Sequence, residues 1–95
     1  MEIEQTTKYK RELKKVLKSP IINQEKIDTI IDTFINNPTA SALDAKKIRG
    51  CSNYTNLHQI RVNSDYRILF ELMDDYIILR HIGKHNDVEK KTKDC

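Results

Sequence analysis

Paired cysteines, long apolar runs and a leader-like start are what this sequence has least of. Its two cysteines, Cys51 and Cys95, stand far apart, and neither belongs to a CxxC pair. A structural zinc needs about four suitable ligands, so no metal site is expected. Nor does one distant pair make a disulfide framework, which leaves two incidental reduced thiols as the expectation. No apolar stretch approaches the roughly 20 residues of a membrane-spanning helix. Met1-Glu2-Ile3-Glu4-Gln5 has neither the charged lead nor the apolar run of a secretory signal. The reading is a cytoplasmic protein without a membrane partner. Internal repeats, low-complexity segments and linkers are also missing, and 95 residues is one domain's worth of chain.

What is present is charge and two kinds of apolar periodicity. Hydrophobic residues make up 38% of the chain and charged residues 33%, enough for a modest core under a polar surface. The net charge of +3 is mild, but Lys8, Lys10, Arg11, Lys14, Lys15 and Lys18 crowd one segment, opposed there only by Glu12. Such a cluster attracts polyanions at long range, or is simply a solvated helix face. Residues 2–5 alternate like an edge strand. Thr6 or Thr7 can cap a helix carrying Tyr9, Leu13, Val16 and Leu17 on one side, stopped by Ser19-Pro20. Asn23 caps a second, with Ile27, Ile30, Ile31, Phe34 and Ile35 at helical spacing, ended by Asn36-Asn37-Pro38. Ala40–Ile48 reads as a helical turn, Arg49-Gly50 as a stop and Ser52–Asn56 as a polar loop.

From Leu57 the period changes to two. Leu57–Val62, Tyr66–Met73 and Tyr76–Ile82 read as three strands in antiparallel hairpins, linked by Asn63-Ser64-Asp65 and Asp74-Asp75. The expected fold is α+β: a small antiparallel sheet in the order β-α-α-β-β-β, with a two-helix hairpin on one face and the other face open. The polar tail, residues 89–95, is expected to fray. The last strand empties into His81, Lys84 and His85. Arginines and histidines on rigid strands can neutralise a phosphate and move protons near neutral pH. That suggests RNA chemistry, although a sheet that clamps a protein partner would look similar.

The element order and three motifs resemble the RelE/ParE superfamily of bacterial toxins from type II toxin–antitoxin pairs. Asp65-Tyr66-Arg67-Ile68-Leu69-Phe70 is similar to the family's "yRvly" strand. Ile82-Gly83-Lys84-His85-Asn86-Asp87-Val88 is similar to its "iGhHxdvY" ending, and Ile48-Arg49-Gly50 to the loop before the catalytic sheet. The resemblance covers nearly the whole chain. It implies, in the RNA-cleaving branch, a nuclease that cuts mRNA in the ribosomal A site by attack of a ribose 2′-hydroxyl on the adjacent phosphate, with no metal or cofactor. Such chemistry needs a base, an acid and cationic donors for the phosphoryl oxygens. By resemblance, Arg67 contacts the scissile phosphate, His85 is the acid or base, and His58 falls where relatives carry lysine or histidine.

The residues themselves add to this and partly disagree. Arg67 can instead pair with Glu71 on the same strand face. If Ile60 and Val62 face the helices, alternation sends His58 inward with them and puts Arg61 beside Arg67 across the hairpin. Arg80 and His81 point to opposite faces, so at most one joins Lys84 in binding substrate. Glu89 stands where the family has a base-stacking aromatic. Tyr54 or Tyr66 is left to replace it, and Tyr66 belongs to the Tyr66-Ile68-Phe70-Leu72 core face.

Three functions follow: the mRNA endonuclease, a ParE-like poison that binds DNA gyrase, or an inactive antitoxin-binding remnant. All share a cognate antitoxin as partner, an acidic segment suited to the open face and the basic first helix. Exposed apolar residues such as Leu69 would alternatively serve a homodimer.

Overall fold

The computed structural model describes residues 2–93. The chain runs β1 (Glu2–Gln5), α1 (Thr7–Val16), α2 (Gln24–Asn36), a 3-10 turn (Ser41–Leu43), β2 (Lys46–Lys47), β3 (Leu57–Arg61), β4 (Tyr66–Leu72), β5 (Tyr76–Lys84) and α3 (His85–Lys93). One sheet holds all five strands in the order β1-β5-β4-β3-β2. The α+β class is as expected, but the sheet is mixed. β3, β4 and β5 form antiparallel hairpins, whereas β1 lies parallel to β5, Glu2 opposite Tyr76 and Gln5 opposite Leu79. Parallel pairing needs a long crossover, and the chain between Gln5 and Tyr76 provides it.

The helices start where their caps allow. Thr6 Oγ1 accepts from the Tyr9 amide at 3.1 Å, and Asn23 Oδ1 accepts from the Lys26 amide at 2.8 Å. Tyr9, Leu13 and Val16 of α1 and Ile27, Ile31 and Phe34 of α2 then bury against Ile60, Val62, Ile68, Phe70, Ile77, Leu79 and Ile82 of the sheet. Phe34 meets Phe70 edge-on, with ring centroids 4.8 Å apart. The turn after β3 is closed by Asn63, whose Oδ1 accepts from the amides of Asp65 and Tyr66 at 2.8 and 2.9 Å.

The other face of the sheet is not open. Val88 of α3 packs with Leu57 and Leu69, flanked by Ile48, Cys51 and Tyr54, in a second small core. Leu69, expected as an exposed docking residue, is 1% exposed. Where a fraying tail was expected from Glu89, α3 continues to Lys93; residues 94 and 95 lie outside the described residues. Asp87 in its first turn and Lys90, Lys91 and Lys93 in its last suit the helix dipole. Cys51 is disulfide-bonded rather than a reduced thiol, and Cys95 lies outside the described residues.

One irregularity shapes everything downstream. Leu69 pairs with His81 but Phe70 pairs with Leu79, so Arg80 is an extra residue in β5, a β-bulge. Leu79 and Ile82 therefore share the helix-facing core although they stand three positions apart.

Candidate active site at the end of the sheet

Alternation along β3 and β4 puts Ile60 and Ile68 under the helices, so their neighbours Arg61 and Arg67 emerge on the opposite face. The two arginines are direct cross-strand partners. Like charges so placed repel, which makes the pair a waiting anion site. Arg61 is partly committed: its Nη2 lies 3.3 Å from Asp44 Oδ2, and its buried Nε has no partner. Asp44 also meets Lys46 at 3.6 Å, and the Arg61 bond followed by the Lys46 charge holds its carboxyl below the usual range. Arg67 is held differently. Its Nη1 donates to the carbonyls of Asn63 and Tyr66 at 2.6 and 2.9 Å, and among the described residues no carboxylate ion-pairs with it. Burial, then repulsion from Arg61, pushes its pKa below the ordinary arginine value.

Glu71, the alternative partner for Arg67, is taken elsewhere. It bonds Arg80 Nε and accepts from the Thr55 amide at 2.8 Å. The Arg80 guanidinium lies 5.5 Å from the Tyr54 ring centroid, while His81 Nε2 approaches the Tyr54 hydroxyl at 3.4 Å. Arg80 and His81 thus gather around one tyrosine instead of pointing to opposite faces, because the bulge breaks the alternation. His81 is 4% exposed, and its Nδ1 lies 3.0 Å from Glu12 Oε1. Burial lowers its pKa, and this outweighs the opposing bond to Glu12. Glu12 also holds Lys91 at 3.6 Å. These residues tie α1, β5, α3 and the 54–55 loop together, away from the arginine pair.

The other histidine of the sheet is also apart. His58 stacks on Phe70 at 5.7 Å on the helix side, and its Nδ1 lies 3.0 Å from the Asn56 carbonyl. The pleat, rather than the motif alignment, describes its position.

His85 stands at the arginine end. Arg67 is opposite Gly83, and the His85 amide donates to the Asp65 carbonyl at 2.7 Å, fixing the first residue of α3 against the β3–β4 turn. Its Nε2 lies 3.8 Å from Glu89 Oε2 one helical turn on, and its buried Nδ1 has no partner. Lys84 is exposed and opposite Tyr66. The structure therefore collects Arg61, Arg67, Lys84 and His85 at one end of the sheet and leaves His58, Arg80 and His81 elsewhere. Sequence reasoning missed the ties of Asp44 and Glu12, and named Tyr54 only as a stacking candidate; all three meet their partners only through the fold. Glu12 alone carried a signal, as the sole acid in a basic stretch.

Solved toxin structures share this arrangement of a mixed five-stranded sheet with two helices on one face and a third helix closing the other. A metal-bound toxin from Helicobacter pylori superposes with a TM-score of 0.78 at 14% identity, over 93% of this chain and 98% of that one. The E. coli DinJ–YafQ toxin–antitoxin complex gives 0.72 at 17% identity, over 92% and 94%. A YoeB/ParE toxin from Agrobacterium tumefaciens gives 0.71 at 14% identity, over 90% and 99%. At these identities the shared property is the fold. No protein-family model and no curated protein matches the chain.

Proposed function

We propose that this protein is the toxin of a type II toxin–antitoxin pair and acts in the cytoplasm as a ribosome-dependent mRNA endonuclease. The observation that carries the reading is the cross-strand pair Arg61 and Arg67 with His85 anchored at the same sheet end. In the proposed reaction a ribose 2′-hydroxyl attacks the adjacent phosphorus, and the 5′-oxygen leaves. Arg67, in no ion pair among the described residues, takes a phosphoryl oxygen, and Arg61 supports it from the Asp44 side. An imidazole can both accept and donate a proton, which suits His85 to the part of acid or base. Lys84 adds charge for the flanking backbone. The partner is a cognate antitoxin, in keeping with the toxin–antitoxin complex among the similar structures.

Expression with and without Arg67→Ala and His85→Ala, reading growth and message integrity together, tests the proposal. Toeprinting on translating ribosomes should show cuts with the unaltered protein and none with either variant. Uncut message at saturating protein would refute it, and accumulated cleaved DNA–gyrase complexes would point to a gyrase poison. One observation favours the inactive-remnant reading: the Glu89 carboxylate sits beside His85 Nε2, where it competes with a phosphate. A harmless protein in the growth assay would support that reading.

A further inference from the structure

β1 ends opposite Leu79, so the outer edge of β5 continues past it without a strand neighbour among the described residues. α1 and α3 wall this edge on either side. Between them lies a groove of about 630 Å³ with Val16, Tyr66 and Ile82 at its base and Lys15, Lys84 and Lys90 along its walls. Of the acids here, Glu12 is bound to His81 and Lys91, which leaves Asp87 facing the lysines. Lys10, Arg11 and Lys14 extend the positive charge along the exposed side of α1, and Lys18 follows just past its end.

The groove leads to the Lys84 and His85 side of the candidate site. A second recess, of about 530 Å³, is lined by Ser64, Asp65 and His85 and shares Tyr66 and Lys84 with the first. Tyr66 is half-buried: it packs against the main core and still contributes to both recesses. An aromatic ring among lysines on a track leading to a proton-transfer group is the arrangement that holds single-stranded nucleic acid, base on ring and phosphates on ammonium groups.

We infer that the α1–α3 groove binds the single-stranded RNA flanking the scissile phosphate, with Tyr66 as the base-stacking platform and Lys15 and Lys90 as backbone contacts. The inference rests on the nuclease reading for its biological substrate, but the binding itself is measurable separately. The probe is a short, fluorescently labelled 2′-O-methyl oligonucleotide of mixed sequence, which lacks the attacking hydroxyl and cannot be cut. Its affinity is measured by anisotropy across a salt series.

Tyr66→Leu should lower affinity about tenfold, the loss of one stacked base, while Tyr66→Phe retains it. Paired reversal, Lys15→Glu with Lys90→Glu, lies on exposed helix surface and should flatten the salt dependence by about 1.4 in log–log slope, two single-strand contacts. Affinity unchanged by the lysine reversals overturns the inference, as does unchanged affinity in a folded Tyr66→Leu variant. Loss on charge reversal with indifference to Tyr66→Leu, and with polyglutamate competing as well as RNA, also overturns it and assigns the groove to an acidic protein segment. Toeprinting in parallel separates the two readings. Groove binding without cleavage keeps the inference and rejects the nuclease, and cleavage without groove binding does the reverse.

Discussion

At the scale of single residues, the chemistry rests on how each cation is held. Among the described residues Arg67 bonds carbonyl oxygens and no carboxylate, so its charge remains available, whereas Arg61 shares its charge with Asp44. Removing a donor aimed at developing charge typically costs about 10²–10³ in rate. Arg67→Ala should therefore lose about that much cleavage in a reconstituted translation assay, with Arg61→Ala losing less. Equal activity of Arg67→Ala and the unaltered protein would remove the arginine from the mechanism. His81 makes a different kind of prediction. Its folded pKa lies below the unfolded value of about 6.5, so the unfolded chain takes up the proton first. The stability it contributes is full above about 6.5 and falls as pH drops from there toward the depressed folded value. A melting series from pH 7 downward should show this slope, and His81→Gln should flatten it, about neutral to mildly acidic pH being the window.

At the scale of elements, α3 is held by one apolar side chain and a few polar ties. Val88 is 1% exposed, so Val88→Ala should cost about 1–2 kcal/mol in urea unfolding. Since α3 begins with His85, cleavage should fall by more than the stability loss alone predicts. Glu71 does the same for the 54–55 loop, serving Arg80 and the Thr55 amide together. Glu71→Ala leaves both without their acceptor and should cost about 2 kcal/mol by the same measurement. A neutral result would mean that the loop is held otherwise.

Much of this level was legible beforehand. α1 and α2 show helical spacing with side-chain caps, and β3 to β5 show alternation bounded by turn residues. α3 was not legible because its exposed faces are polar and only Val88 is buried, although Asp87 at its start and lysines at its end were a helix signature. β2 is two exposed lysines whose pairing depends on β3. Among the candidate residues, the Arg61–Arg67 pair followed from alternation, and the inward turn of His58 followed from the same rule. The grouping of Arg80 with His81 did not, because it depends on the bulge. No signal marked it, because Ile77, Ile78 and Leu79 are apolar in succession and Ile82 keeps ordinary alternation with Ile78.

At the scale of the whole molecule, the modest net charge of +3 conceals a polarised surface. Lysines of α1 and α3 flank the same groove, and the arginine pair lies at the sheet end nearby. RNA affinity should accordingly fall roughly tenfold or more between about 50 and 200 mM salt. Anisotropy in a salt titration checks this, and a flat response would exclude an electrostatic footprint.

The bulge also sets how β5 tolerates change in length. Deleting Arg80 would restore strict alternation with the pairings kept, Leu79 opposite Phe70, His81 opposite Leu69 and Ile82 opposite Ile68. Excision should therefore leave both faces of the strand as they are and remove only the guanidinium that reaches Glu71 and Tyr54.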